Sequence, residues 1–228
     1  MMNPVIDMLQ HKRLIWQGAQ TSNPSDSVSS GYPQLDNQLG GGFPLHGVIE
    51  IISASGIGEL RLLTPYILAQ GENRLTVFIN PPGYLCADYF TQQGIDLSRM
   101  LILFPKTAQE ALWAAEQCLK SGCCGSVSLW HSELEIHQAK RLQVASETGQ
   151  CLNFLFKTAS QSGITLPISL SLTLSAGAEG LHISIHKRKG GWLKSSLTLD
   201  VHKAWPHLVR YQPESASVVP LQRHRGRA

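Results

Sequence analysis

Between residues 48 and 157 the chain alternates short β-branched runs with longer amphipathic stretches, and no other feature constrains its fold as tightly. The runs at 48–53 (VIEIIS), 75–80 (LTVFIN), 100–104, 125–130 and 151–157 read as strands. The stretches at 59–70, 84–93, 107–120 and 135–148 read as helices, with Leu60, Leu63, Ile67 and Leu68 on one side of the first. Pro65 sits inside that first helix and is expected to kink it. Thr107 and Glu110 have the spacing of a capping box. Strands joined through helices of this length return by crossover, so an α/β fold with a mainly parallel sheet is expected. After residue 160 the pattern changes. Residues 167–175, 181–187 and 195–201 alternate apolar and polar positions without helices between them, and read as antiparallel strands extending the sheet.

Composition supports a folded core. Hydrophobic residues make up 43% and charged residues 15%, which excludes wholesale disorder. The five cysteines, Cys86, Cys118, Cys123, Cys124 and Cys151, contain no C-x-x-C spacing and read as reduced thiols, not a disulfide framework or a zinc knuckle. His182 and His186 share a strand face without a carboxylate or thiol beside them, so neither a metal site nor a cofactor is expected. No apolar run reaches the ~18 residues a membrane span needs. The first 16 residues mix Asp7, His11, Lys12 and Arg13 with apolar residues and lack the parts of a signal peptide, so a cytoplasmic location is expected. Residues 1–26 are read as an N-terminal helix and linker, 27–205 as the domain, and 206–228 as a basic, disordered tail.

The strand–turn–helix at 48–70 stands where a phosphate-binding loop would stand. Such a loop needs G-x-x-x-x-G-K-[ST]: glycines whose N–H groups curl around phosphate oxygens, a lysine for the charge, and a hydroxyl for magnesium. Aligned on Gly58, the first glycine position holds Ser53, the lysine position Glu59 and the hydroxyl position Leu60; Gly56 lies within the loop. Glu59 puts a carboxylate where a triphosphate needs a cation, and is expected to steady the helix N-terminus in its place. Arg61 is a poor substitute for the missing lysine. The fourth strand ends Leu129-Trp130-His131 where a metal-binding carboxylate is needed, strand two ends in Asn80, and Glu133 falls in the following loop. These losses argue against ATP hydrolysis and for a chain that is not an enzyme.

The segment Ser30-Gly31-Tyr32-Pro33-Gln34-Leu35-Asp36, then Leu39-Gly40-Gly41-Gly42-Phe43-Pro44 and Gly47-Val48-Ile49-Glu50-Ile51, resembles the lead-in to a RecA-like core. The resemblance continues through Gly94-Ile95-Asp96-Leu97 and Leu119-Lys120-Ser121-Gly122, and it implies a three-layer α/β domain. Within that superfamily the chain is similar to the ImuA family. The residues carrying this are Gly56-Ile57-Gly58-Glu59-Leu60-Arg61-Leu62-Leu63, Pro81-Pro82 with Tyr84, Ala111 to Gln117, Arg141-Leu142-Gln143 and Lys187-Arg188-Lys189-Gly190-Gly191-Trp192. That resemblance implies an SOS-induced role in error-prone translesion DNA synthesis, with an ImuB-like polymerase-family adaptor, a DnaE-type polymerase and RecA as partners. Over about residues 47–158 the chain is also similar to the division inhibitor SulA, which implies the alternative of binding FtsZ. The three consecutive glycines and the C-terminal strands favour the ImuA reading.

Charge is unevenly placed. Residues 1–184 hold 10 Lys and Arg against 14 Asp and Glu, and residues 185–228 hold 9 against 2. Lys187, Arg188, Lys189 and Trp192 are read as a hairpin tip able to meet DNA or a partner, as are Arg223, Arg225 and Arg227 beyond it. Trp113 and Trp130 are read as core.

Overall fold

All five runs expected as strands are present, each within a residue or two of its expected bounds. The computed structural model describes Met8, residues 27–70, 74–158, 166–177, 180–189 and 195–200, and Trp205. In chain order the elements are β1 (Ser27–Val28), α1 (Pro33–Leu39), β2 (Phe43–Pro44), β3 (Gly47–Ile52), α2 (Glu59–Ala69), β4 (Leu75–Ile79), α3 (Ala87–Gln92), β5 (Met100–Leu103), α4 (Ala108–Lys120), β6 (Cys124–Trp130), α5 (Ile136–Gly149), β7 (Leu152–Lys157), β8 (Leu170–Ala176), β9 (Gly180–Arg188) and β10 (Ser195–Asp200). The N-terminal helix and linker expected over 1–26, and the tail expected over 206–228, lie outside the described residues, save Met8.

The main sheet has eight strands in the order β10-β9-β8-β3-β7-β6-β4-β5. The five neighbour pairs from β8 to β5 are parallel, and β8–β9 and β9–β10 are antiparallel. One expectation is corrected here: β8 lies parallel to β3, and the antiparallel pairings are confined to β8–β9 and β9–β10. Alternation of apolar and polar residues reports how a strand is buried and carries no information about its direction.

The sheet is covered on both faces, which makes three layers. Ile49 and Ile51 of β3, Phe154 of β7 and Phe78 of β4 face Leu35 of α1, Leu62 and Tyr66 of α2 and Phe90 of α3. On the other face Val48, Val77, Val127 and Leu155 meet Ala111, Ala115 and Leu119 of α4 and Leu142 of α5. Phe43, Tyr66 and Phe154 form an edge-to-face trio with centroids 5.4–5.9 Å apart, each pair worth about 0.5–1.5 kcal/mol beyond area burial. That trio ties α2 to the centre of the sheet.

Local signals explain most boundaries. Thr107 and Glu110 make the expected reciprocal cap on α4. The helix expected over 84–93 starts only at Ala87, after the Pro81-Pro82-Gly83 turn. The helix α1 was not anticipated. It begins at a proline and closes on Gly40, whose N–H donates to the Asn37 carbonyl. The Asp36 carboxylate accepts from the Ser30 N–H at 2.8 Å and from the Ser29 hydroxyl at 2.6 Å, which gives the S-G-x-x-x-L-D motif its physical role. Trp113 is also corrected. It is 61% exposed, because α4 turns its small residues Ala111 and Ala115 to the sheet.

Candidate functional site

The loop between β3 and α2 is closed by its own carboxylate. Gly56 and Gly58 take φ values of 81° and 108°, which turns their N–H groups toward one point. The Glu59 side chain reaches back to that point. One carboxylate oxygen accepts from the Gly56 N–H at 2.8 Å and the other from the Gly58 N–H at 3.1 Å. Glu59 is 5% exposed, so this is a buried anion held by backbone dipoles at a helix N-terminus. A phosphate would use the same donors. Ser53, at the first glycine position, is buried and donates its N–H to the Lys157 carbonyl at 2.9 Å. Leu60, at the hydroxyl position, packs against the core.

Trp205 lies over the loop. Its ring stands 3.3 Å from where a Cβ on Gly58 would be. Its indole N–H donates to the Tyr32 hydroxyl at 3.2 Å, and that hydroxyl donates to the Arg61 carbonyl at 3.0 Å. The link has a cause in the sequence. Pro65 has no N–H, so the Arg61 carbonyl four residues earlier lacks its helical partner, and Tyr32 supplies one. The helix α2 therefore runs unbroken through Pro65. Burial raises the pKa of the Tyr32 hydroxyl, which keeps it a donor.

The Arg61 guanidinium sits 4.5 Å over the Tyr89 ring. The Tyr89 hydroxyl is 2.9 Å from the Thr64 hydroxyl. With Tyr32 and Trp205 these groups line a cleft of about 510 Å³ beside α2. Sequence reading did not find it. Tyr32 and Trp205 are 173 residues apart, and neither belongs to a spaced motif with the other.

Beside the loop β4, β6 and β7 end at Ile79, Trp130 and Lys157, none of them a carboxylate, and Glu133 lies exposed in the loop after β6. Trp130 stacks on Phe156 at 4.5 Å with an interplanar angle of 11°. Among the described residues the His131 imidazole has no hydrogen-bond partner, and burial first, then Lys157, lowers its pKa. The Glu50 carboxylate accepts from Lys157 at 3.2 Å and from the Ser171 hydroxyl at 2.7 Å. Among the described residues no group of three or more His, Cys, Asp and Glu is placed to hold a metal ion. His182 and His186 instead meet Thr198 and Thr173, at 3.2 Å and 2.7 Å.

The structure separates the cations read as one cluster. Lys187 donates to the Leu166 carbonyl at 2.6 Å, and Lys189 lies 3.6 Å from a Glu147 oxygen. Arg188, between them, faces the other way, against Gly40, and burial lowers its pKa. Strand alternation forces this division. Trp192, Arg223, Arg225 and Arg227 lie outside the described residues. Among the described residues no helix is long and apolar enough to cross a membrane.

A doubly covered, mainly parallel sheet with a strand–glycine loop–helix unit defines a phosphate-loop type of α/β protein, here with the loop occupied from within. A sequence model of the RecA N-terminal domain matches residues 6–130, and the chain belongs to that family. It is 30% identical over 107 residues to the protein RecA of Corynebacterium diphtheriae, covering 46% of this chain and 29% of that protein. Against the protein RecA of Frankia alni it is 30% identical over 107 residues, covering 46% of this chain and 31% of that protein. The chain thus spans less than a third of the length of these relatives. The crystal structure of SulA from Pseudomonas aeruginosa aligns at a TM-score of 0.41 and 26% identity, over 49% of this chain and 98% of that one.

Proposed function

We propose that this chain is a non-catalytic RecA-like accessory protein of SOS-induced, error-prone translesion DNA synthesis. In this reading it is an adaptor for an ImuB-like polymerase-family protein and a DnaE-type polymerase. The observation that carries the non-catalytic part is the Glu59 carboxylate on the Gly56 and Gly58 N–H groups. A loop whose donors are held by a tethered anion repels a triphosphate, and Leu60 offers magnesium nothing. The resemblance of the G-I-G-E-L-R-L-L loop to ImuA supports the choice of process. Contact with RecA, and with DNA through the basic C-terminal residues, belongs to the same reading.

Experiments on the purified chain and in cells test it. Calorimetry with Mg-ATP on the purified chain is expected to show no binding heat, and phosphate release is expected to be nil; hydrolysis would sink the non-catalytic claim. Deletion is expected to abolish damage-induced mutagenesis and leave division normal. Affinity capture from damaged cells should recover the polymerase-family adaptor and the DnaE-type polymerase. Recovery of FtsZ with filamentation on overexpression, and mutagenesis undiminished in the deletion, would replace this reading with SulA-like inhibition.

A further inference from the structure

The outer faces of α4 and α5 carry apolar side chains that the fold does not use. Each helix already buries a full inward stripe: Ala111, Ala115 and Leu119 on α4, and Ala139, Leu142, Ala145 and Gly149 on α5. Yet Trp113 and Val144 are each 61% exposed, and Ile136 is 48% exposed, on these same helices. An exposed tryptophan on a helix that has satisfied its core face is a common anchor for a partner.

Between the two helices lies a groove of about 310 Å³, lined by Glu116, Lys120, Lys140, Arg141, Val144 and Thr148. Its geometry is fixed. A Cβ on Gly149 would meet the Leu119 carbonyl oxygen at 1.9 Å, so only glycine lets the last turn of α5 close on the end of α4. Arg141 pairs with Glu116 across the groove, and Lys120 lies 3.9 Å from the same carboxylate. Lys140 is exposed and has no hydrogen-bond or ion-pair partner among the described residues. The groove lining thus carries three cations, Lys120, Lys140 and Arg141, against the one carboxylate of Glu116, on a body whose first 184 residues carry 14 acids against 10 bases.

We infer that this groove docks an acidic amphipathic segment of a partner protein, through Val144 in its lining, the exposed Trp113 one helical turn before Glu116, and its surplus of positive charge. Such a segment would set aliphatic or aromatic side chains against Trp113 and Val144 and carboxylates against Lys140 and Lys120. A nucleic-acid backbone fits less well. A run of phosphates offers no apolar face to the exposed Trp113 and Val144, which an amphipathic segment does. The inference goes beyond the adaptor reading and stands without it.

The test uses the full chain and defined probes: a labelled helical peptide of Leu and Glu, the same peptide with Lys in place of Glu, and an oligothymidylate. Fluorescence anisotropy at low and high salt reads binding. The Leu–Glu peptide is expected to bind, at least 10-fold more weakly to Lys140→Glu and to Trp113→Ala, with urea midpoints unchanged because both residues are exposed. The Leu–Lys peptide is expected to prefer Lys140→Glu to the unaltered chain. Equal binding of the Leu–Glu peptide to all three proteins, or none at all, would overturn the inference. So would oligothymidylate binding lost in the same two variants, which would make the groove a nucleic-acid surface.

Discussion

Replacing Glu59 by alanine empties the loop of its internal anion, and the consequence can be worked from the geometry. The carboxylate accepts two backbone N–H groups, at 2.8 and 3.1 Å, from a position 5% exposed. Gly56 is exposed, so water can take over its N–H, whereas Gly58 is half-buried beneath Trp205. Losing one charged acceptor that water does not replace costs about 1–3 kcal/mol, and losing the favourable charge at the helix N-terminus adds about 0.3–1 kcal/mol. A net loss near 2 kcal/mol corresponds to a fall of about 4–8 °C in Tm for a chain of this size. Urea and thermal unfolding followed by circular dichroism measure both, and Glu59→Gln should fall between the two proteins.

The variant also exposes a vacant anion site. Inorganic phosphate at ~100 times its Kd would return about 2.7 kcal/mol to Glu59→Ala, and nothing to the unaltered chain, whose donors are already taken. Equal phosphate responses in both proteins, or a loss below about 0.5 kcal/mol, would refute the reasoning, since either means the carboxylate is not the loop's resident anion.

Three further outcomes are expected. Tyr32→Phe leaves the Arg61 carbonyl and the Trp205 indole without partners and should cost about 1–2 kcal/mol by urea unfolding. In a Pro65→Ala background the cost should shrink, because an alanine at that position supplies the missing helical N–H. Lys157→Met strands a buried Glu50 carboxylate and should destabilise by about 3 kcal/mol, while adding Glu50→Gln recovers most of the loss; an unchanged double variant would deny the pair its role. Burial, then Lys157, holds the His131 imidazole below its ordinary 6.5, so near that value the unfolded chain binds more protons than the folded one. Stability should therefore fall as pH drops through about 6.5, and His131→Gln should flatten that slope in urea midpoints.

Periodicity revealed the strands and helices because both signals are local and repeat. It missed α1 because seven residues give too few turns to show a period, although Pro33 and Gly40 mark its two ends. Trp113 shows how size misleads. Two positions along a helix amount to a rotation of about 200°, so burying Ala111 and Ala115 points Trp113 at solvent. The departure from the phosphate-loop pattern was legible in Ser53, Glu59 and Leu60, since each is a local substitution. The aromatic cleft was not, because its residues meet only after the sheet has formed. Arg188 could have been separated from Lys187 and Lys189 by strand alternation alone.

The position of β3 has a consequence for how the chain comes into being. Glu50 finds its two partners 107 and 121 residues downstream, and both strands flanking β3 are as distant. During synthesis at ~5–20 residues per second, β3 waits several seconds with both edges unpaired. Contacts of such sequence separation also slow refolding, because loop closure precedes any gain from pairing. A chain cut short before β8 would present a long apolar edge to its neighbours, so truncation should show itself first as aggregation.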